Sequence, residues 1–279
     1  MPQPDANIST SSKTVAQGRL HYRPRLIDGT CETLLFVHGL GESGASFSEA
    51  FQAAELKDIN ILIPDLLGFG ESSTASNNDY SFAGHIASLL DLLAALDIST
   101  VHFVGHSMGG DIGTLFCSQY PERARSFVNI EGNLTPQDRF ITKRALEAEN
   151  QGRFDQWFPQ DLIQGMVTDW ARTWPSCARY ARALRQCHPT AFLQGAHEIL
   201  QHCQQPKDRD LGRIYGDLAI PRIYVWGSES VSPTTQAFLD EHQLTHRGFE
   251  PSFHWVMIDR QDLFYPFLAE FLATQGAIS

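Results

Sequence analysis

Short runs of apolar residues, each closed by glycine or polar positions and followed by a helix-length stretch, recur along this chain. The runs Thr33–Val37, Asn60–Ile63, Val101–Val104, Phe127–Ile130 and Arg222–Trp226 are rich in β-branched and aromatic side chains. Apolar residues at nearly every position, rather than at every second one, predict strands buried on both faces. Between them, Phe82–Leu96 carries Leu89, Leu92, Leu93 and Leu96 at helical spacing, Gly110–Tyr120 reads as a helix, and Asp259–Thr274 reads as a closing one. This alternation predicts an open α/β sheet.

Two stretches depart from the rhythm. Residues 1–14 are polar and Ser/Thr-rich and read as a disordered, solvated tail; β-like pieces follow at Val15 and Leu20–Tyr22. From 133 to 215 no strand pattern appears, only helical patterns punctuated by Pro159, Pro175, Pro189 and Pro206. Thr135-Pro136-Gln137-Asp138 has the form of a helix start, with Thr as cap, proline in the first turn and an acid three residues on. The expectation is a core of 15–132 and 216–279 with an all-helical layer, 133–215, laid over it. That layer holds 11 of the 21 Lys and Arg but 9 of the 32 Asp and Glu, so the acidic excess sits in the core.

Composition narrows the field. The chain has 279 residues, 42% apolar and 19% charged, which suits a folded domain rather than a disordered one. A net charge of −11 argues against a nucleic-acid partner, because phosphate backbones are held by basic surfaces. No apolar run reaches the roughly 20 residues of a membrane-spanning helix, and the polar start does not read as a secretory signal. Five cysteines without CxxC spacing suggest reduced thiols and a cytoplasmic setting.

Gly39-Leu40-Gly41-Glu42-Ser43-Gly44 satisfies GxGxxG, with Asp65 at the end of the next strand. That is the formal context of a dinucleotide-binding turn. His38 stands where a small residue is usual, however, and a second motif explains the same glycines better. Gly105-His106-Ser107-Met108-Gly109 is a G-x-S-x-G pentapeptide between a strand and a helix, the setting that lifts a serine hydroxyl above a sheet edge. Such a hydroxyl needs a base. His254, after the last expected strand and before the final helix, is the candidate, with His246 as the fallback. His38 and His106 are read as turn-shaping. His197-Glu198 and His202 resemble a zinc helix, but the histidines are five apart rather than four and diverge around a helix, so no metal site is expected; nor is a cofactor.

With these residues in view, the chain resembles the α/β-hydrolases of the cap-bearing lipase and esterase type. The matching segments are His38-Gly39-Leu40-Gly41, Asp65-Leu66-Leu67-Gly68-Phe69-Gly70-Glu71-Ser72, Gly105–Gly109 and His254-Trp255. The resemblance implies an eight-stranded, mostly parallel sheet with a helical cap. It implies Ser107 as nucleophile, His254 as base and an oxyanion hole from the backbone N–H groups of Leu40 and Met108. It also exposes a departure. The family's usual acid position, in Gly227-Ser228-Glu229-Ser230, holds Ser230. Glu131, at the end of strand 127–130 and twenty-four residues after Ser107, is the expected substitute, since haloalkane dehalogenases similarly place an acid there. Glu229 is the alternative.

Serine at the elbow, where haloalkane dehalogenases and epoxide hydrolases carry Asp, implies acyl transfer to water through an acyl-enzyme. The expected substrates are carboxylic esters of small or medium apolar or aromatic acyl groups. Thioesters or activated C–C bonds are the alternative, and a receptor-like ligand-binding role is the non-enzymatic one. Phe140, Trp157, Phe158, Trp170 and Trp174 are expected to line an apolar pocket. Arg179, Arg182 and Arg185 recur at i, i+3 and could dock an anionic carrier of a thioester.

Overall fold

The computed structural model describes residues 8–203 and 210–277. Its centre is one sheet of eight strands: β1 (Ser11–Val15), β2 (Gly18–Arg25), β3 (Thr33–Val37), β4 (Asn60–Pro64), β5 (Val101–His106), β6 (Ala124–Ile130), β7 (Arg222–Gly227) and β8 (His246–Phe249). Every residue of β3, β4 and β5 is buried, which is why those segments read as unbroken apolar runs. The spatial order is β1-β2-β4-β3-β5-β6-β7-β8. Only the β1–β2 and β2–β4 pairs are antiparallel; the rest are parallel. The chain therefore leaves β3 toward one edge and returns on its other side as β5. The crevice at the carboxyl ends of such a switch point is where open α/β sheets hold ligands.

Helices cover both faces. α1 (Phe82–Ala95) starts at Ser81, whose side chain accepts a hydrogen bond from the Gly84 N–H, and α2 (Met108–Gln119) starts at the elbow. Then come α3 (Phe140–Asn150) and α4 (Phe154–Gln156), which runs into a π-helical stretch, Trp157–Val167, and on into α5 (Thr168–Trp170). α6 (Pro175–Leu184), α7 (Pro189–His202), α8 (Leu211–Asp217), α9 (Pro233–Glu241), α10 (Val256–Asp259) and α11 (Gln261–Thr274) complete the chain. No described helix is long and apolar enough to cross a membrane.

Three boundaries differ from expectation. The tail was expected to reach Thr14, yet Ser11–Val15 pairs antiparallel with β2 from Ser11↔Tyr22 to Val15↔Gly18. Four of its five residues are exposed, so backbone pairing rather than burial makes this strand; residues 1–7 of the expected tail lie outside the described residues. The helical layer also ends before residue 215. α8 packs against α2, and its Tyr215 meets Phe127 of β6 and Tyr224 of β7, so α8 belongs to the core. Finally, the helix start at Thr135 forms as expected, with a reciprocal capping box to Asp138, but yields a single 3-10 turn, Pro136–Asp138, before α3.

Candidate active site

Ser107 follows β5 directly, at φ 52° and ψ −121°, a conformation that side chains rarely adopt. Its neighbours explain how the bend is tolerated. A Cβ on Gly105 would lie 2.2 Å from the Gly109 carbonyl oxygen, and one on Gly109 would lie 2.1 Å from that of Val37. The turn can close only where both side chains are absent. The Ser107 N–H donates to the Ile130 carbonyl oxygen at 2.8 Å, tying the elbow to β6.

Glu131 follows β6 directly and is also left-handed, at φ 50°. Its backbone N–H donates to the Val225 carbonyl oxygen, and its buried carboxylate is fully engaged. Oε1 accepts from the Gly227 N–H at 2.7 Å and the Ser230 hydroxyl at 2.6 Å, while Oε2 lies 2.7 Å from His254 Nδ1. A carboxylate there accepts a hydrogen bond from Nδ1–H, which fixes the tautomer and leaves Nε2 with its lone pair as a base. Burial opposes charge on His254, but the Glu131 charge and hydrogen bond outweigh it, and its pKa stands above the ordinary histidine value.

The other acid and base candidates fall elsewhere. Glu229 is exposed and accepts from the Ser228 hydroxyl, and no hydrogen bond or ion pair joins it to the imidazole. Ser230, in the position where the family's acid was sought, instead donates its hydroxyl to Glu131. His246 lies on edge strand β8, between Asp240 at 3.0 Å and the Trp226 indole N–H at 3.2 Å.

The turn-shaping histidines hold the site's walls. His38 Nδ1 donates to the Gly39 carbonyl oxygen and Nε2 accepts from the Leu66 N–H, and burial keeps its pKa low, as this neutral tautomer needs. His106 Nε2 donates to the His254 carbonyl oxygen at 2.9 Å, and its Nδ1 lies 2.8 Å from buried Glu42 Oε1. Burial works against ionisation of Glu42, but the His106 ring beside it holds its carboxyl below the usual range. Glu42 and His106 thus join the loop after β3 and the end of β5 to the loop after β8. Sequence reasoning assigned Glu42 only to the glycine motif; its signal was a carboxylate inside an otherwise small and apolar loop.

The GxGxxG loop makes no nucleotide cradle. Asp65, the acid that would hold a ribose, is buried and saturated. It binds Arg23, His21 and the N–H groups of Gly44 and Glu71. His197 and His202 engage different carboxylates, Glu149 and Glu198.

Ser107, Glu131 and His254 open into one cavity of about 480 Å³. Its walls come from the loops after β3, β6, β7 and β8 and from the helical layer. Of the expected pocket residues, Phe140 and Trp170 line it, together with Ile141, Tyr180 and Ile199 of the same layer. Trp157 and Phe158 do not. They pack inward on Phe154, and Phe158 also meets Phe192 at 4.9 Å. Trp174 stacks on Phe253, which is itself a wall residue. α7 closes against the expected oxyanion residues, for a Cβ on Gly195 would lie 2.7 Å from Leu40 Cδ1 and 3.0 Å from Met108 Sδ.

Comparison with known proteins identifies relatives in sequence and in fold. An uncharacterised protein of Mycobacterium tuberculosis is 35% identical over 218 residues, covering 74% of this chain and 63% of the relative, so the chain spans less than two thirds of that protein's length. Lipase 1 of Psychrobacter immobilis is 38% identical over 96 residues, 34% of this chain and 30% of the lipase. The enol-lactonase of Burkholderia xenovorans LB400 superimposes with a TM-score of 0.74 at 20% identity, covering 94% of this chain and 100% of that one, a likeness of fold. The model of the alpha/beta hydrolase fold family matches residues 32–261, from the lead-in of β3 to the start of α11. Strand order, elbow and family match meet in the same stretch, and the chain belongs to the alpha/beta hydrolase fold family.

Proposed function

We propose that this protein is a serine hydrolase that cleaves carboxylic esters, lactones included, through an acyl-enzyme. The observation that carries the reading is the 2.7 Å contact between Glu131 Oε2 and His254 Nδ1, on the wall of the cavity into which Ser107 opens. In the proposed cycle His254 Nε2 takes the Ser107 proton as Oγ attacks the acyl carbon, and Glu131 stabilises the imidazolium. The N–H groups of Leu40 and Met108 hold the oxyanion, the second at the N-terminus of α2, where developing negative charge is favoured. His254 returns the proton to the leaving alcohol, then activates water to release the acid. The layer from α3 to α7 acts as the cap, and its Phe140, Ile141, Trp170 and Ile199 receive the apolar acyl group.

A fluorophosphonate probe tests the nucleophile. The wild-type chain is expected to become labelled at Ser107 and to hydrolyse p-nitrophenyl butyrate. Ser107→Ala should lose the label and at least about 10³-fold in kcat. Labelling at another residue, or retained turnover in Ser107→Ala, would overturn the reading.

A further inference from the structure

The catalytic cavity is lopsided in charge. Four carboxylates stand on its wall, Glu42, Glu131, Asp138 and Glu229, and no lysine or arginine does among the described residues. Two of the four face an imidazole, Glu42 at His106 and Glu131 at His254. With His254 neutral, as a base must be, no positive charge on the imidazole offsets the Glu131 carboxylate. Asp138 accepts hydrogen bonds from the hydroxyls of Thr135, Ser232 and Thr235 and from the Thr135 N–H, and it forms no ion pair with a lysine or arginine among the described residues. Burial raises its pKa, which reduces its share of the charge. Glu229 is exposed and stands at the rim.

Among the described residues, four arginines of the helical layer are turned elsewhere. Arg144 lies over the Phe140 ring, 4.6 Å from its centroid, and lines the neighbouring groove. Arg179 pairs with Glu49. Arg182 lines a separate cleft with Arg23, and Arg185 Nη1 donates to the Ala181 carbonyl oxygen. The three arginines that could have docked an anionic carrier thus stand away from the cavity.

We infer that the cavity selects substrates without negative charge: neutral or cationic esters are accepted, and carboxylate-bearing or phosphorylated acyl compounds are rejected. The inference rests on the serine-hydrolase reading and narrows its substrate class. An anionic acyl chain entering the cavity would exchange water for a wall that repels it and supplies no counter-ion. A neutral chain incurs neither cost, and a quaternary ammonium gains attraction from Glu229 and the surrounding aromatic rings.

Three p-nitrophenyl esters of similar length test this: pentanoate, mono-glutarate and 4-(trimethylammonio)butyrate. Each kcat/KM is divided by that ester's hydroxide-catalysed rate, which removes intrinsic reactivity. At low ionic strength the glutarate is expected to fall below the pentanoate by on the order of tenfold or more, with the gap narrowing as salt screens the field. The ammonium ester should equal or exceed the pentanoate. Glu229→Lys, a change at an exposed position, should narrow the glutarate gap. Equal corrected rates for pentanoate and glutarate, or a gap indifferent to both salt and Glu229→Lys, would overturn the charge selection. Failure of all three esters would instead sink the hydrolase reading.

Discussion

Glu131 and Glu229 differ in the way that matters for an acid in a triad. One is buried, held by two donors and in contact with the imidazole; the other is exposed at the rim. Replacing Glu131 with Gln leaves the packing but lets the amide favour the wrong tautomer, so kcat on a neutral ester should fall by about 10³–10⁴-fold. Glu229→Gln should lose far less, and the reverse ranking in steady-state kinetics would remove Glu131 from the mechanism. The same residue sets the pH profile. Because Glu131 holds the His254 pKa above its ordinary value, the acid limb of kcat/KM should lie above roughly pH 6.5. Activity is present above that limb and is lost as pH falls through it. Glu42 adds to the same field from the far side of His106, and the His106 ring fixes the His254 backbone. Glu42→Gln is therefore expected to lower kcat about tenfold with little change in KM, and to move the acid limb toward lower pH. A variant that merely loosened the fold would not move the limb.

At the level of elements, the loop after β4 shows how much order a single carboxylate can impose. Asp65 joins β2, through Arg23 and His21, to the loops that begin at Gly44 and Glu71. Burial opposes its ionisation, but His21 and Arg23 overcome this and hold its pKa well below the ordinary range. Asp65→Asn removes one partner of a buried ion pair and should cost about 3–5 kcal/mol in urea denaturation at neutral pH. The folded-state pKa is depressed, so this contribution is complete above the unfolded value of about 4 and is lost only as pH falls through the folded one. The difference between wild type and variant should therefore be flat from pH 5 to 8 and shrink in acid. The strands flanking this loop were legible in the sequence because burial on both faces leaves an unbroken apolar run. β1 was not, since four of its five side chains face water and its pairing with β2 is a backbone matter. The aromatic pocket was legible only in part. Trp157 and Phe158 lie in a π-helical stretch of eleven residues, where the 3.6-residue period that assigns faces does not hold, and they turn into the layer instead of the cavity. Glu131 was readable as a partner for His254 from the strand end it occupies, whereas the Glu42–His106 pair needed separate segments of the sheet edge to be brought together first.

Across the whole molecule, the acidic excess of the core and its cavity have the same sign, so the field that keeps anions out extends beyond the wall residues. Ser230 carries a further consequence. Its hydroxyl oxygen sits 2.6 Å from the Glu131 carboxylate, so the strand end where the resemblance leads us to expect an acid and the one that carries Glu131 converge on the same point in space. A carboxylate grafted onto β7's loop as Ser230→Asp, in a Glu131→Gln background, would approach the imidazole from the neighbouring strand. Partial recovery of turnover in that double variant would mean that the third member of the triad is a location shared by two strands, free to migrate between them while the nucleophile and base stay put.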